Sequence, residues 1–126
     1  MKAYPFFSAT ELACHCGECD GGEMNQEFMD KLIKVRSLLG APMVLSSAYR
    51  CPEHNDEVSH TGRHGPHTTG RAVDVLCSGK VAFSILRIAL EEGITGIGVS
   101  QKGDHGSRFL HLDDVEAKTR PWVWSY

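Results

Sequence analysis

Hydrophobic positions recur along this chain with two periods, and the switches between them mark its elements. From Asn25 to Leu39 the apolar residues Phe28, Leu32, Val35 and Leu39 return every three or four positions, which predicts a helix with one stripe facing a core. Asn25 is suited to the N-cap, Met24 and Met29 occupy the hydrophobic-staple positions, and Gly40 followed by Pro42 stops the helix. A second helix is predicted over Gly79–Glu92, capped by Ser78 and ended by Gly93. Strands are predicted at Met43–Tyr49, Arg71–Leu76, Gly96–Ser100 and Arg108–Leu112. The polar, glycine- and histidine-bearing segment Pro52–Pro66 reads as a long loop, and compact domains usually keep such loops for function.

These elements lack the regular strand–helix alternation of a parallel sheet. The expected fold class is α+β, a small, largely antiparallel sheet with two main helices. At 126 residues the expectation is one domain, 1–126, able to bury a core without staples.

Composition narrows the function classes. With 41% hydrophobic and 23% charged residues the chain is of ordinary globular make-up. A formal net charge of −3 and the lack of a lysine/arginine run argue against nucleic acid as a partner. No stretch approaches the roughly 18 apolar residues of a membrane-spanning helix, so no membrane insertion is expected. "MKAYPFFSATELAC" has no signal-peptide pattern, which predicts synthesis in the cytoplasm. Seven histidines are many for this length, and six of them (His54, His60, His64, His67, His105 and His111) fall between residues 54 and 111. That raises the prior for a metal site, since imidazole is the commonest metal ligand.

The densest stretch is "RHGPHTTGRAVDVLC", Arg63–Cys77, which carries an aspartate inside an apolar strand. Alternation puts Ala72 and Asp74 on one face and Val73 and Val75 on the other. The valines suit a core, and a carboxylate buried without a partner is costly, so the Asp74 face must open on a cleft. In "FLHLD", likewise, Leu110 and Leu112 point one way and His111 and Asp113 the other. Thr68-Thr69-Gly70 can turn the chain and bring His67 back towards the start of its strand. His67, Asp74 and His111 together would make a three-donor site of mixed nitrogen and oxygen, suited to Zn²⁺ with a fourth position open. A salt bridge from Asp74 to Arg50 or Arg71 is the competing reading of that carboxylate.

"HTTGRAVD" fits H-x-x-G-x-A-x-D and resembles the signature of the zinc D-Ala-D-Ala carboxypeptidases and phage peptidoglycan peptidases. This superfamily is related to the dipeptidase VanX and to the amino-terminal domain of hedgehog proteins. "SSAYRCPEHN" is similar to its S-x-Y-R segment, "FLHLD" to its last zinc-histidine strand and "RPWVWSY" to a common tail. The resemblance covers most of the chain from about Asn25. It implies His67, Asp74 and His111 as zinc ligands, and Arg50 as the arginine that binds a substrate carbonyl or carboxylate and steadies the developing oxyanion. Asp113 is open to two readings, an orienter of His111 or a solvated charge. The implied activity is metal-assisted hydrolysis of peptidoglycan stem or cross-link peptides by a monomer. The loop "CPEHNDEVSHTGRHGP" would line the cleft. Access to the wall would come by holin-type release or from a virion.

Two positions depart from that pattern. Gly65 stands where the family often has serine, two residues before the first ligand. Arg108 stands where many members carry an acidic general base, and arginine cannot serve as one at neutral pH. The nearest substitutes are Asp104 and His105 in "QKGDHGSR", with Asp104 preferred as the base. The missing acid keeps a second class open, a zinc-bearing cell-wall-binding module without catalysis, and beside it a virion structural protein.

Five cysteines cannot all pair within one chain. Cys14, Cys16 and Cys19 lie in "CHCGECD", and Cys51 is a remote fourth partner. A second metal, a disulfide within the set and free thiols are all compatible with that spacing. Cys77, ending an apolar strand, reads as a small buried hydrophobe.

Overall fold

In the computed structural model, which describes all 126 residues, five strands form one sheet in the order β1-β2-β4-β3-β5. They are β1 (Val44–Ser47), β2 (Ala72–Leu76), β3 (Gly96–Ser100), β4 (Phe109–Asp113) and β5 (Trp122–Ser125). All neighbours run antiparallel except β3 and β5, which are parallel. The helices are α1 (Ala9–Leu12), α2 (Gln26–Leu39), α3 (Pro52–Val58) and α4 (Gly79–Glu91). This is the α+β architecture with a largely antiparallel sheet that the pattern predicts.

Alternation sets what each face of the sheet does. Val73, Val75, Ile97, Leu110 and Leu112 join Phe28, Met29, Leu32 and Val35 of α2 and Ala82, Ile85, Ile88 and Ala89 of α4 in one core. Each of the side chains larger than alanine contributes about 1.5–3 kcal/mol by leaving water, so this face holds the fold together. The helix α2 starts as expected, with Asn25 Oδ1 accepting from the Phe28 amide at 3.0 Å, and ends at Gly40 with φ 68°. Ser78 precedes α4 but makes no side-chain capping bond. A charged cluster joins α2 to the sheet: Arg71 grips buried Asp114 through Nε at 2.8 Å and Nη2 at 2.9 Å, and Lys31 adds a third bond at 2.7 Å.

One expectation needs correction. Pro52–Pro66 is not a structureless loop: it holds α3 and leads through a 3-10 turn at Gly62–His64 into another at Pro66–Thr69. Cys51 Sγ accepts from the His54 amide at 3.4 Å and Pro52 occupies the first turn, both helix-starting features. Asn55 is the only buried residue of α3, so no apolar stripe announced it. The tail "RPWVWSY", for which the pattern predicts no element, supplies the edge strand β5. The α1 helix is closed by a capping box between Ser8 and Glu11. No helix is long and apolar enough to cross a membrane.

Candidate metal centre

The face of the sheet turned away from α2 and α4 carries the chemistry. Strand pairing lines up one row across all five strands: Ser47, Asp74, His111, Gly98 and Trp124. Asp74 and His111 are therefore opposite one another on the two central strands. His67 arrives from outside the sheet, on the 3-10 turn Pro66–Thr69. That turn is held by Thr68 Oγ1 donating to the Gly65 carbonyl at 2.7 Å and Thr69 Oγ1 donating to the Pro66 carbonyl at 2.6 Å. Gly70 ends it at φ 73°, where a Cβ would lie 2.7 Å from the Glu23 carbonyl oxygen. Only glycine combines that backbone angle with that approach.

One donor atom each from His67, Asp74 and His111 lies within 4.8 Å of the others. Both imidazoles are oriented from behind. His67 Nδ1 is 2.7 Å from the Ala48 carbonyl oxygen, which can only accept, so Nδ1 carries a proton and Nε2 is turned to Asp74 Oδ1 at 3.4 Å. His111 turns Nδ1 to Asp74 Oδ1 at 3.0 Å and Nε2 to Asp113 Oδ2 at 2.6 Å. Asp113 is fully buried and gripped by Arg120, at 2.8 Å from Nε and 2.9 Å from Nη2. Asp113 is thus the orienter of His111, not a solvated charge. This pattern of carbonyl or carboxylate behind each imidazole is how metal-binding histidines are usually held.

Electrostatics agree with that geometry. Burial would raise the pKa of Asp74, but the bonds from His111 and His67 outweigh it and hold the carboxyl well below its usual range. Burial would likewise raise Asp113, and the bonds from His111 and Arg120 instead pull it down to about 2. For His111 burial opposes the charged ring, while Asp113 and Asp74 win and raise its pKa. His67 Nε2 and His111 Nδ1 both face Asp74 Oδ1, at 3.4 and 3.0 Å, so two nitrogens and one carboxylate oxygen converge where a cation could draw them together. A nitrogen–oxygen set of two imidazoles and one carboxylate fits Zn²⁺ with one position left open.

Arg50 reaches the same row, with Nη2 3.6 Å from Asp74 Oδ2. It is not a surface arginine paired to loop acids: Nη1 donates to Asn55 Oδ1 at 3.0 Å, and Asn55 is itself buried. Asn55 Nδ2 in turn donates to Thr61 Oγ1 at 2.8 Å and to the Gly62 carbonyl. The α3 segment predicted as a loop is therefore the brace behind Arg50. A Cβ on Gly65 would lie 2.0 Å from Thr61 Oγ1 and 2.8 Å from Asn55 Nδ2, so this brace fills the space a serine would need. Arg71 is committed to Asp114 and Glu27.

Asp104 and His105 are exposed in a short turn, His105–Ser107, that joins β3 to β4. Neither bonds to the histidine–aspartate group. Ser107 Oγ donates to the Asp104 carbonyl at 2.9 Å, and Arg108 donates twice to the Gly103 carbonyl, at 3.1 and 3.0 Å. His60 and His64 are exposed and His54 is partly so, and none joins the group.

Sequence reasoning passed over Asn55, Arg120 and Trp124. Trp124 lies beside His111 with ring centroids 5.1 Å apart, and Arg120 stacks on Trp124 at the same distance. The signal for two of them stood in "RPWVWSY", whose parallel pairing with β3 no local period reveals. Gly96 and Gly98 of "GIGVS" make the room. A Cβ at Gly98 would come 2.6 Å from Trp124 Nε1, and one at Gly96 would come 2.1 Å from Asp113 Oδ1.

The family described as Peptidase M15 matches residues 5–113, a span that holds all three donors and Arg50. No curated protein matches the chain.

Proposed function

The chain belongs to the peptidase M15 family, a metallopeptidase family, and from that premise we propose a zinc-dependent hydrolase of peptide bonds in bacterial peptidoglycan. Its activity would be that of a D-Ala-D-Ala carboxypeptidase or endopeptidase of the phage endolysin kind. The observation that carries this reading is the convergence of His67, Asp74 and His111 within 4.8 Å. Zinc held by those three residues supplies a Lewis acid that activates water and polarises the scissile carbonyl.

The protein's own residues do the rest. Ala48 and Asp113 fix the two imidazoles, so the donor atoms need little reorganisation. Arg50, steadied by Asn55, keeps free N–H groups for a substrate carboxylate or for the carbonyl oxygen as it gains negative charge. Proton transfer falls to the turn after β3. Asp104 takes a proton from the attacking water and returns it to the leaving amine, with His105 as the alternative carrier. Arg108 braces that turn through Gly103. The substrates are stem or cross-link peptides, reached by a monomer made in the cytoplasm and delivered by holin-type release or on a virion.

A second reading, a zinc-bearing wall-binding module without catalysis, is favoured by the engagement of Arg108 with Gly103 where the family acid is missing. Incubating the zinc-loaded protein with defined muropeptides, with products weighed by mass spectrometry, separates the two. Cleavage of the terminal or cross-link bond is expected, and its loss in His67→Ala. Zinc bound with no fragment cut would sink the enzyme and leave the binding module.

A further inference from the structure

Apart from the histidine site, a second group of donors meets. Cys14, Cys16, Cys19 and Cys51 bring their four sulfurs within 4.8 Å of one another. We propose that these cysteines form a second, structural metal site, a tetrathiolate that holds Zn²⁺ and clamps the amino-terminal segment to the base of α3.

Four observations carry the assignment. The first is spacing. Zinc–sulfur bonds of about 2.3 Å in a tetrahedron put sulfurs roughly 3.8 Å apart, and Cys51 Sγ and Cys16 Sγ are 3.9 Å apart. The second is the direction of the backbone. Every one of the four sulfurs accepts an amide N–H: Cys14 from Cys51 at 3.3 Å, Cys16 from Glu18 at 3.3 Å, Cys19 from Gly21 at 3.3 Å and Cys51 from His54 at 3.4 Å. Donors converging on sulfur suit thiolates, and a neutral thiol is a weak acceptor. Such bonds are the outer support that metal ligands need.

The third is closure. Four cysteines complete a tetrahedral shell, which marks a structural site rather than one with an open position. All four are free thiols, and no pair has been drawn to bonding distance. The fourth is what the clamp replaces. Between Leu12 and Met24 the chain reads "ACHCGECDGGE", with no aliphatic residue larger than alanine. A segment that buries so little has nothing apolar to offset the entropy of ordering it. Its backbone ties are few, notably Cys14 N–H to the Gly21 carbonyl at 3.1 Å.

The geometry also gives the clamp a purpose. Cys51 directly follows Arg50 and caps α3, whose Asn55 holds the Arg50 guanidinium. The tetrathiolate thus fixes the start of α3, and with it the near end of the Arg50 brace, against the amino-terminal segment, outside the row that holds the histidines. Cys77 takes no part, its thiol donating to the Val75 carbonyl at 3.3 Å.

The test is made on the full chain purified without chelator. Metal analysis is expected to find two zinc ions per chain, one lost in the Cys16→Ser/Cys19→Ser variant and the other in His67→Ala/His111→Ala. The two arms fail separately, so an error in the peptidase reading leaves the cysteine result standing. Replacing zinc by cobalt adds a signature: thiolate-to-cobalt charge transfer that survives the histidine variant and vanishes in the cysteine variant. Should the serine variant not fold, native wild type is titrated with an organomercurial, and one zinc is released as the four clustered thiols react. Unchanged zinc in a folded serine variant overturns the proposal. So does mercury uptake on those thiols without zinc release, or an intact mass showing a disulfide among the four.

Discussion

The histidine centre and the cysteine cluster are built from opposite ends of the chain's resources. His67, Asp74 and His111 span 45 positions; strand register pairs Asp74 directly to His111, and the Pro66–Thr69 turn brings His67 to them. Three of the four cysteines fall within six positions on a segment that has no regular structure. The first group borrows rigidity from the most buried strands of the sheet and gives three donors of nitrogen and oxygen. The second gives four sulfurs to a segment that has no rigidity of its own. A site that must keep one position open has to be held by something other than its ion, and here the core behind β2 and β4 does that. A site whose shell is closed can hold the protein instead.

The comparison breaks first, and hardest, at the donors. His67→Ala is expected to abolish hydrolysis and to remove one zinc while leaving the far-ultraviolet circular dichroism unchanged, since β2 and β4 keep their core residues. Hydrolysis at the wild-type rate in that variant would show that the row does not carry the chemistry. Arg50 comes next. Removing a charged donor aimed at developing negative charge costs about 10²–10³-fold in kcat, so Arg50→Ala should fall by that order with both zinc ions retained. Arg50→Lys should recover little, because lysine lacks the planar fork that meets Asn55 and substrate together. Full activity in Arg50→Lys would reduce the role of Arg50 to a point charge.

How much of this was legible beforehand follows the same division. Elements with their own period were readable, as in the stripe Phe28, Leu32, Val35 and the alternation around Asp74 and His111. The helix α3 was not, because a short polar helix with one buried residue, Asn55, leaves no stripe. The strand β5 was not, because its parallel pairing with β3 depends on a contact between distant segments. Both omissions hid supports of the site: Asn55 behind Arg50, and Arg120 and Trp124 behind Asp113 and His111. The cysteine spacing suggested a metal and left three outcomes open. The approach of Cys51 to the other three is a tertiary fact that spacing cannot supply.

Asp113 sharpens the contrast between an ion held by the fold and an ion holding it. Asp113→Asn keeps the shape of the residue but removes the charge that meets His111 Nε2 and Arg120. Loss of such an outer partner typically weakens metal affinity about 10–100-fold. Competition with a chromophoric chelator should show that drop at the histidine site alone, with the thiolate-bound cobalt spectrum unchanged. Equal weakening at both sites would mean that the mutation acts through global stability.

The smallest effect is expected at Gly98, which touches neither metal. Its row neighbours are His111 on one side and Trp124 on the other, and a methyl group there would come 3.0 Å from His111 Cβ and 2.6 Å from Trp124 Nε1. Overpacking of that size costs about 1–3 kcal/mol, read as a lower urea midpoint of the zinc-loaded Gly98→Ala variant at an unchanged m-value. Because Trp124 is the closer obstacle and lies on an edge strand, it is the part that must move. Trp124→Ala in the same chain should then cost less than it does alone, a coupling that a double-mutant cycle measures. If the two losses simply add, the cost of the methyl lies in the β3 backbone or at His111, and the tryptophan is a bystander to the site.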